Sequence, residues 1–293
     1  MKGDVLSPFM HPQNHERNEK MDTQLNAVKA YYDENALKEW NRLSEHPFEF
    51  VLTAYMMEKH IRAGDRILDI GGGPGRYAVH FAKMGCEVTL VDLSEGNIAL
   101  AKEKCAEAGV SVQMHAHNAL TLDELHLGEF DHVFLMGPLY HLPDLSDRRV
   151  AVSQALKCLK VGGLLYTSFI LDFSGFIQDM KNGPGLLPED LKSPISRRLQ
   201  ESVLHGIDYS GPAFTTICFI NQSKIRPFME SFPLETVHLF GQEGFLAPSE
   251  NRLLSYPAEE QALWLDMAKK FLEAPQLLSY SEHAMHIGRK RKG

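Results

Sequence analysis

The stretch Arg66-Ile67-Leu68-Asp69-Ile70-Gly71-Gly72-Gly73-Pro74-Gly75-Arg76-Tyr77 constrains this chain more than any other. Apolar Ile67, Leu68 and Ile70 suit a parallel strand covered on both faces, and Gly71, Gly73 and Gly75 permit a tight turn with close ligand approach. Pro74 then suits the first turn of a helix. A strand, a glycine turn and a helix in this order form a nucleotide-cofactor turn. The dinucleotide fingerprint G-x-G-x-x-G requires glycine where Arg76 stands, so the turn departs from the usual NAD pattern. The spacing is G-x-G-x-G, with Asp69 two residues ahead of the first glycine, placed to accept from a cationic ligand group or from the turn's own amides.

The motifs that follow fall where an open α/β sheet needs them. Cys86 to Ser94 reads as a second strand ending in Asp92, where a carboxylate meets ribose hydroxyls. Ser94 caps a helix over Glu95 to Glu107. Val110 to His115 is a third strand. His115 and His117 share one side of it, with no third ligand at recognisable spacing. Phe130 to Met136 is a fourth strand running into Gly137-Pro138-Leu139-Tyr140-His141-Leu142, beyond the carboxyl ends, where ligands of such sheets sit. Leu145 to Leu159 is helical, Gly162 and Gly163 follow its end, and Leu164 to Leu171 is a fifth strand. Five alternations of strand and helix predict a doubly wound, mostly parallel α/β sheet.

With Asp69, Gly71, Gly73 and Gly75 matching D/E-x-G-x-G-x-G without a gap, the chain resembles a class I S-adenosylmethionine-dependent methyltransferase. The resemblance is to the small-molecule, type 11-like group that includes the quinone C-methyltransferases, and it covers residues 62 to 170 well. It implies a Rossmann-like seven-stranded sheet with an N-terminal helical cap and an inserted lid, and S-adenosyl-L-methionine as cofactor. Asp92 and Leu93 then fall at the ribose, Asn118 and Ala119 at the adenine, and Met136 near the reactive methyl. Tyr32 and Arg42, from the cap, reach the methionine moiety, with Arg42 forking to its carboxylate or, alternatively, pairing with Glu39 or Glu45. His141 is the candidate proton acceptor, since imidazole titrates near neutral pH, and Tyr140 projects beside it. No metal is expected.

The division along the chain is residues 1–21 as a flexible extension, 22–61 as the helical cap, 62–171 and 221–293 as the cofactor-binding core, and 172–220 as an inserted acceptor-side lid. In the insertion, Leu191 to Leu204 reads as helix and Ala213 to Ile220 as β-like, with Asn182-Gly183-Pro184-Gly185 as a turn. Phe173, Phe176, His205 and Tyr209 are candidates to line the acceptor pocket. Asn221 to Ser231 is expected as helix, and Glu235 to Phe240 and His283 to Arg289 as the last two strands. Leu253 to Leu272, broken at Pro257, is amphipathic helix with Trp264 and Phe271 facing inward.

Composition narrows the partners. The 293 residues carry a formal net charge of −8, which argues against nonspecific binding to nucleic acid or anionic membrane. Four scattered cysteines, Cys86, Cys105, Cys158 and Cys218, read as thiols of a reducing compartment, and no apolar run reaches the ~18 residues of a membrane span. A cytoplasmic protein, monomer or homodimer, acting on a small molecule is therefore expected.

The expected reaction is methyl transfer to O, N or C of a small, partly apolar metabolite. Aminopropyl transfer fits less well, because Met136, Gly137 and Pro138 stand where acids would hold a diamine. Hydride chemistry lacks a Tyr-x-x-x-Lys pair. Base methylation lacks the Asp/Asn-Pro-Pro-aromatic motif after the fourth strand. An RNA or protein methyltransferase and a non-catalytic cofactor-binding scaffold partner remain as alternatives.

Overall fold

The computed structural model describes residues 12–183, 192–213 and 215–292, with side chains from Met21 onward. Five parallel strands form its centre: β1 (Arg66–Ile70), β2 (Glu87–Asp92), β3 (Gln113–Ala116), β4 (Phe130–Leu135) and β5 (Leu159–Leu171), in the spatial order β3-β2-β1-β4-β5. Because side chains alternate across a strand, Leu68 and Ile70 enter one apolar cluster while Ile67 enters the other. Asp69 shares the parity of Ile67 and is buried.

The crossover helices are α3 (Arg76–Lys83), α4 (Glu95–Ala108) and α5 (Leu145–Lys157). Ser94 caps α4 as expected, its Oγ accepting from the backbone N of Asn97 at 3.0 Å. Ahead of the sheet lie α1 (Pro12–Glu45), kinked at Asn35, and α2 (Pro47–Glu58). The described part of this helix thus runs from Pro12, inside the stretch expected from sequence as a flexible extension.

Among the described residues the sheet has nine strands, a correction to the seven expected. The two additional strands belong to the insertion. After α6 (Ser174–Asn182) and α7 (Pro194–His205), β6 (Tyr209–Pro212) and β7 (Thr216–Ile220) form a hairpin whose second strand pairs with β5 at Ile170 and Leu171. The short helix α8 (Ile225–Glu230) leads to β8 (Leu234–Gly241), and β9 (His283–Lys290) runs antiparallel between β8 and β5. Ile170 pairs with Phe219 of β7 and with His283 of β9. The hairpin therefore lies on the β4 side of β5, past the end of β4, and extends the sheet over the edge where ligands bind.

One further expectation is corrected. Trp264 and Phe271 on α10 (Ala258–Phe271), which follows the short α9 (Glu250–Leu253), are 47% and 48% exposed. The helix buries Ala268 instead. The turn at Asn182 to Gly185 and the start of the β-like run lie partly outside the described residues.

Candidate active site

A cavity of about 1180 Å³, its open mouth included, lies at the carboxyl ends of the parallel strands under α1. The chain makes its floor by close backbone approach. Gly71 has φ +69°, and a Cβ there would sit 2.5 Å from Pro138 Cδ; a Cβ on Gly137 would sit 2.8 Å from the Gly71 carbonyl oxygen. The turns after β1 and β4 touch only because both positions are glycine.

The β1–β3 half of the cavity carries two carboxylates. Asp92 Oδ2 accepts from the Gly73 backbone N at 2.8 Å, and its Oδ1 accepts from Ser94 N and Asn97 Nδ2. Burial still raises its pKa, against those three donors. Asp69 is held differently. Its Oδ2 is buried without a hydrogen-bond partner, and burial, reinforced by the charge of Asp92, pushes its pKa up to about 7. Asn97 Oδ1 is a second buried acceptor without a partner, also on the cavity wall. Asn118, Ala119 and His117 line the far end of this half.

The helix α1 is fastened over that half at three points. Arg76 stacks on Trp40 with its guanidinium carbon 4.5 Å from the ring centroid and donates to Ser44 Oγ at 2.6 Å. Asp33 Oδ1 accepts from Ser94 Oγ at 2.6 Å and from Gly96 N at 3.0 Å. Tyr32 Oη lies 2.9 Å from His141 Nε2.

The other half is an ionic wall. Arg42 donates from Nε to Glu39 at 2.9 Å and forks onto both oxygens of Glu49, at 2.5 and 3.3 Å. His283 Nδ1 lies 2.6 Å from Glu243 Oε1 and 4.0 Å from Glu49 Oε2. The backbone N–H groups of Glu282 and His283 both donate to Glu243 Oε2. Burial disfavours the His283 cation, but Glu243 and Glu49 outweigh it and raise its pKa to about 9. Burial likewise opposes charge on Glu49, and Arg42 with His283 outweighs it, holding that carboxyl below its usual range. Behind the wall, buried Lys181 of the insertion pairs with Glu250 and Glu282. Beside it, Ser168 Oγ donates to Gln242 at 2.6 Å.

Residues 67–163 match a family described as a methyltransferase domain. Residues 67–163 thus form a methyltransferase domain. It is 37% identical over 108 residues to a ubiquinone biosynthesis O-methyltransferase of Aromatoleum aromaticum, covering 37% of this chain and 45% of that one. A protein of the same description from Pseudomonas aeruginosa PAO1 is 30% identical over 145 residues, 48% of this chain and 61% of its own. The chain thus spans about half the length of the curated relatives it matches. Among solved structures, the magnesium protoporphyrin IX methyltransferase of Synechocystis PCC 6803 aligns with TM-score 0.55 at 14% identity, over 91% of this chain and 99% of that one. A SAM-dependent methyltransferase of Methanosarcina mazei gives 0.52 at 15% identity, over 81% and 98%. At such identities the likeness concerns the fold.

Within this methyltransferase core, the cavity brings together Tyr32, Arg42, Asp69, Gly71, Gly73, Asp92, Leu93, Asn118, Ala119, Met136, Tyr140 and His141 from the sequence reading. Gly75 is not on the wall. It has φ +83° and caps α3, and a Cβ there would meet Ala101 at 3.3 Å, so its smallness serves helix packing. Arg42 is bound to Glu49 and Glu39, the second of these being one of the two helix partners considered from sequence. His141 has partners on both ring nitrogens: Tyr32 on Nε2, and Thr215 Oγ1 (3.1 Å) and the Thr216 carbonyl (3.4 Å) on Nδ1. Burial lowers its pKa to about 4, so it is neutral at physiological pH. Phe173, Phe176, His205 and Tyr209 line no part of the cavity. Tyr209 packs on Phe219, and exposed His205 pairs with Glu201. Glu49, Glu243 and His283 were missed, since residues so far apart in sequence leave no local pattern. One side-chain oxygen or nitrogen from each lies within 4.8 Å of the others.

The residues present fit the family's cofactor on the structure's own terms. Two buried acceptors without partners and a glycine turn open to the cavity describe a site for a ligand with a cationic group and hydroxyl donors.

Proposed function

We propose that the protein is an S-adenosylmethionine-dependent methyltransferase that acts on O, N or C of a small, partly apolar molecule. The observation that carries this reading is Asp69 Oδ2, a buried carboxylate oxygen without a partner on the wall of the cavity under α1. An ionised Asp69 in that setting calls for a cation. The cofactor's α-ammonium supplies one. Asp92, already oriented by Gly73, Ser94 and Asn97, takes the ribose hydroxyls, and the Asn97 carbonyl oxygen accepts beside it. Asn118, Ala119 and Leu93 enclose the adenine, and Met136 with Gly137 forms the floor near the sulfonium.

The cofactor, when bound, supplies an activated methyl group. The chain's own task is to orient, to exclude water and to handle a proton, and positioning alone is worth about 7 to 11 kcal/mol of a barrier of this kind. Arg42 supports Glu49 and closes the cavity from above. His141 joins the cap to the insertion through Tyr32 and Thr215 and holds both over the ligands.

The acidic net charge and the four buried free thiols support a cytoplasmic protein without a nucleic-acid partner, as monomer or homodimer. Among the described residues no helix is long and apolar enough to cross a membrane. A tritium-transfer assay from labelled S-adenosylmethionine across a metabolite panel tests the proposal. Label in a small-molecule product is expected. Label found only in RNA or protein overturns the small-molecule reading, and cofactor binding with no turnover favours a scaffold.

A further inference from the structure

We propose that His283, held from behind by Glu243, is the group that touches the methyl acceptor and removes its proton, so that the acceptor carries an exchangeable O–H or N–H. This rests on the methyltransferase reading above.

The geometry runs in one direction. Glu243 is buried and stands off the cavity wall, with one oxygen fixed by two backbone N–H groups and the other 2.6 Å from His283 Nδ1. His283 is on the wall with 19% of its side chain exposed. With Nδ1 turned to Glu243, its Nε2 is the nitrogen left for a ligand. A carboxylate behind an imidazole fixes the tautomer, orients the ring and strengthens it as a base. His141, in contrast, has both ring nitrogens engaged.

The charged and titratable groups facing His283 are Glu243 and Glu282 beside it, Glu49 of α2 with Arg42 of α1 behind that, Lys181 of α6 through Glu282, and Tyr140 with its ring centroid 6.5 Å away. At physiological pH the resting imidazole is mostly cationic, in keeping with a pKa raised to about 9. In the reactive form Nε2 is unprotonated. The acceptor's lone pair forms the bond to the methyl carbon as the carbon–sulfur bond breaks, the sulfide leaves with that electron pair, and the acceptor's proton passes to Nε2.

The test uses the full-length protein. In the wild type, kcat/KM should rise about tenfold per pH unit and level off near pH 9. H283Q should lose about 10²- to 10⁴-fold and the pH dependence with it. Imidazole NMR, which needs no turnover, should show one histidine titrating near pH 9 that is absent in H283Q and falls toward the ordinary range in E243Q. Calorimetry with S-adenosylhomocysteine separates the two readings. A wild type that binds none overturns the methyltransferase reading, and this inference with it. Binding with a pH profile unchanged in H283Q overturns the base assignment alone. So would one equivalent of divalent metal held by Glu49, Glu243 and His283 in the isolated protein, with activity lost on chelation.

Discussion

The two halves of the cavity solve opposite electrostatic problems. Around β1 to β3, two buried carboxylates stand near each other with no protein cation between them; Asp69 keeps an oxygen with no partner, and each has its pKa raised. Across the cavity, every charge is answered: Arg42 by Glu49 and Glu39, His283 by Glu243, Lys181 by Glu250 and Glu282. An unanswered charge in a dry site is costly, and it persists where a ligand brings the counter-charge. A closed ionic wall needs no ligand for its stability and can hold a proton-transfer group in fixed orientation. On the proposed reading, the first half is completed by a ligand and the second acts on it.

Beyond the loss expected of H283Q in the ionic wall, the largest effect that tests this contrast is on the incomplete half. Asp69→Asn should weaken cofactor binding by about 10- to 150-fold, the worth of a charge-assisted hydrogen bond of about 1.5 to 3 kcal/mol, measured by calorimetry. The pH profile of the other half should be unaltered. If Asp69→Asn bound the cofactor as well as the wild type, the two halves would not differ in the way described.

The same residue sets a pH dependence for the ligand-free protein. Its folded pKa of about 7 lies above the ordinary carboxylate value of 3.8, so between these values the folded state binds more protons than the unfolded state. The Asp69 contribution is fully present below about pH 4 and is lost as pH rises to about 7. Cofactor binding should strengthen over that window, because it requires the ionised form. Denaturant melts of wild type and Asp69→Asn across the window give the sign: the wild type should lose stability relative to the variant as pH rises.

Smaller effects belong to the fasteners. Tyr32→Phe removes the bond to His141 and should cost about 1 kcal/mol. Hydrogen exchange should show loss of protection in α1 and in the β6–β7 hairpin together, since His141 joins them; loss in α1 alone would break that link. Arg76→Ala loses its stacking on Trp40 and its bond to Ser44, about 0.5 to 1 kcal/mol, read as a modest loss of cofactor affinity. Trp264→Ala, on the exposed face of α10, should stay within about 0.5 kcal/mol of the wild type in thermal melts.

The same contrast governs what was legible in the sequence. The cofactor half is written locally. Asp69 and its glycines fall within one turn, Asp92 ends the next strand, and Asn118 follows the third, so period and spacing place them. The ionic wall draws Glu49 from α2, Glu243 from the loop after β8 and His283 from the start of β9, and only the folded sheet makes them neighbours. In the sequence His283 stands only as the first residue of the last expected strand. Its antiparallel direction turns that first residue toward the carboxyl ends of β1 to β5. The β-like run containing β7 was legible, but its pairing with β6 and β5 was not, for a related reason: the contact with β5 spans two residues and has no periodic signature. Arg76 was legible as a departure from the dinucleotide pattern, and its use, clamping α1 through Trp40 and Ser44, required the contact.

Calorimetric titration of S-adenosylmethionine into the full-length wild-type protein at pH 7.5, alongside Asp69→Asn, tests the central claim most directly. One-to-one binding by the wild type and a marked loss in the variant are expected. No binding by a folded wild type, or equal binding by both, would contradict it.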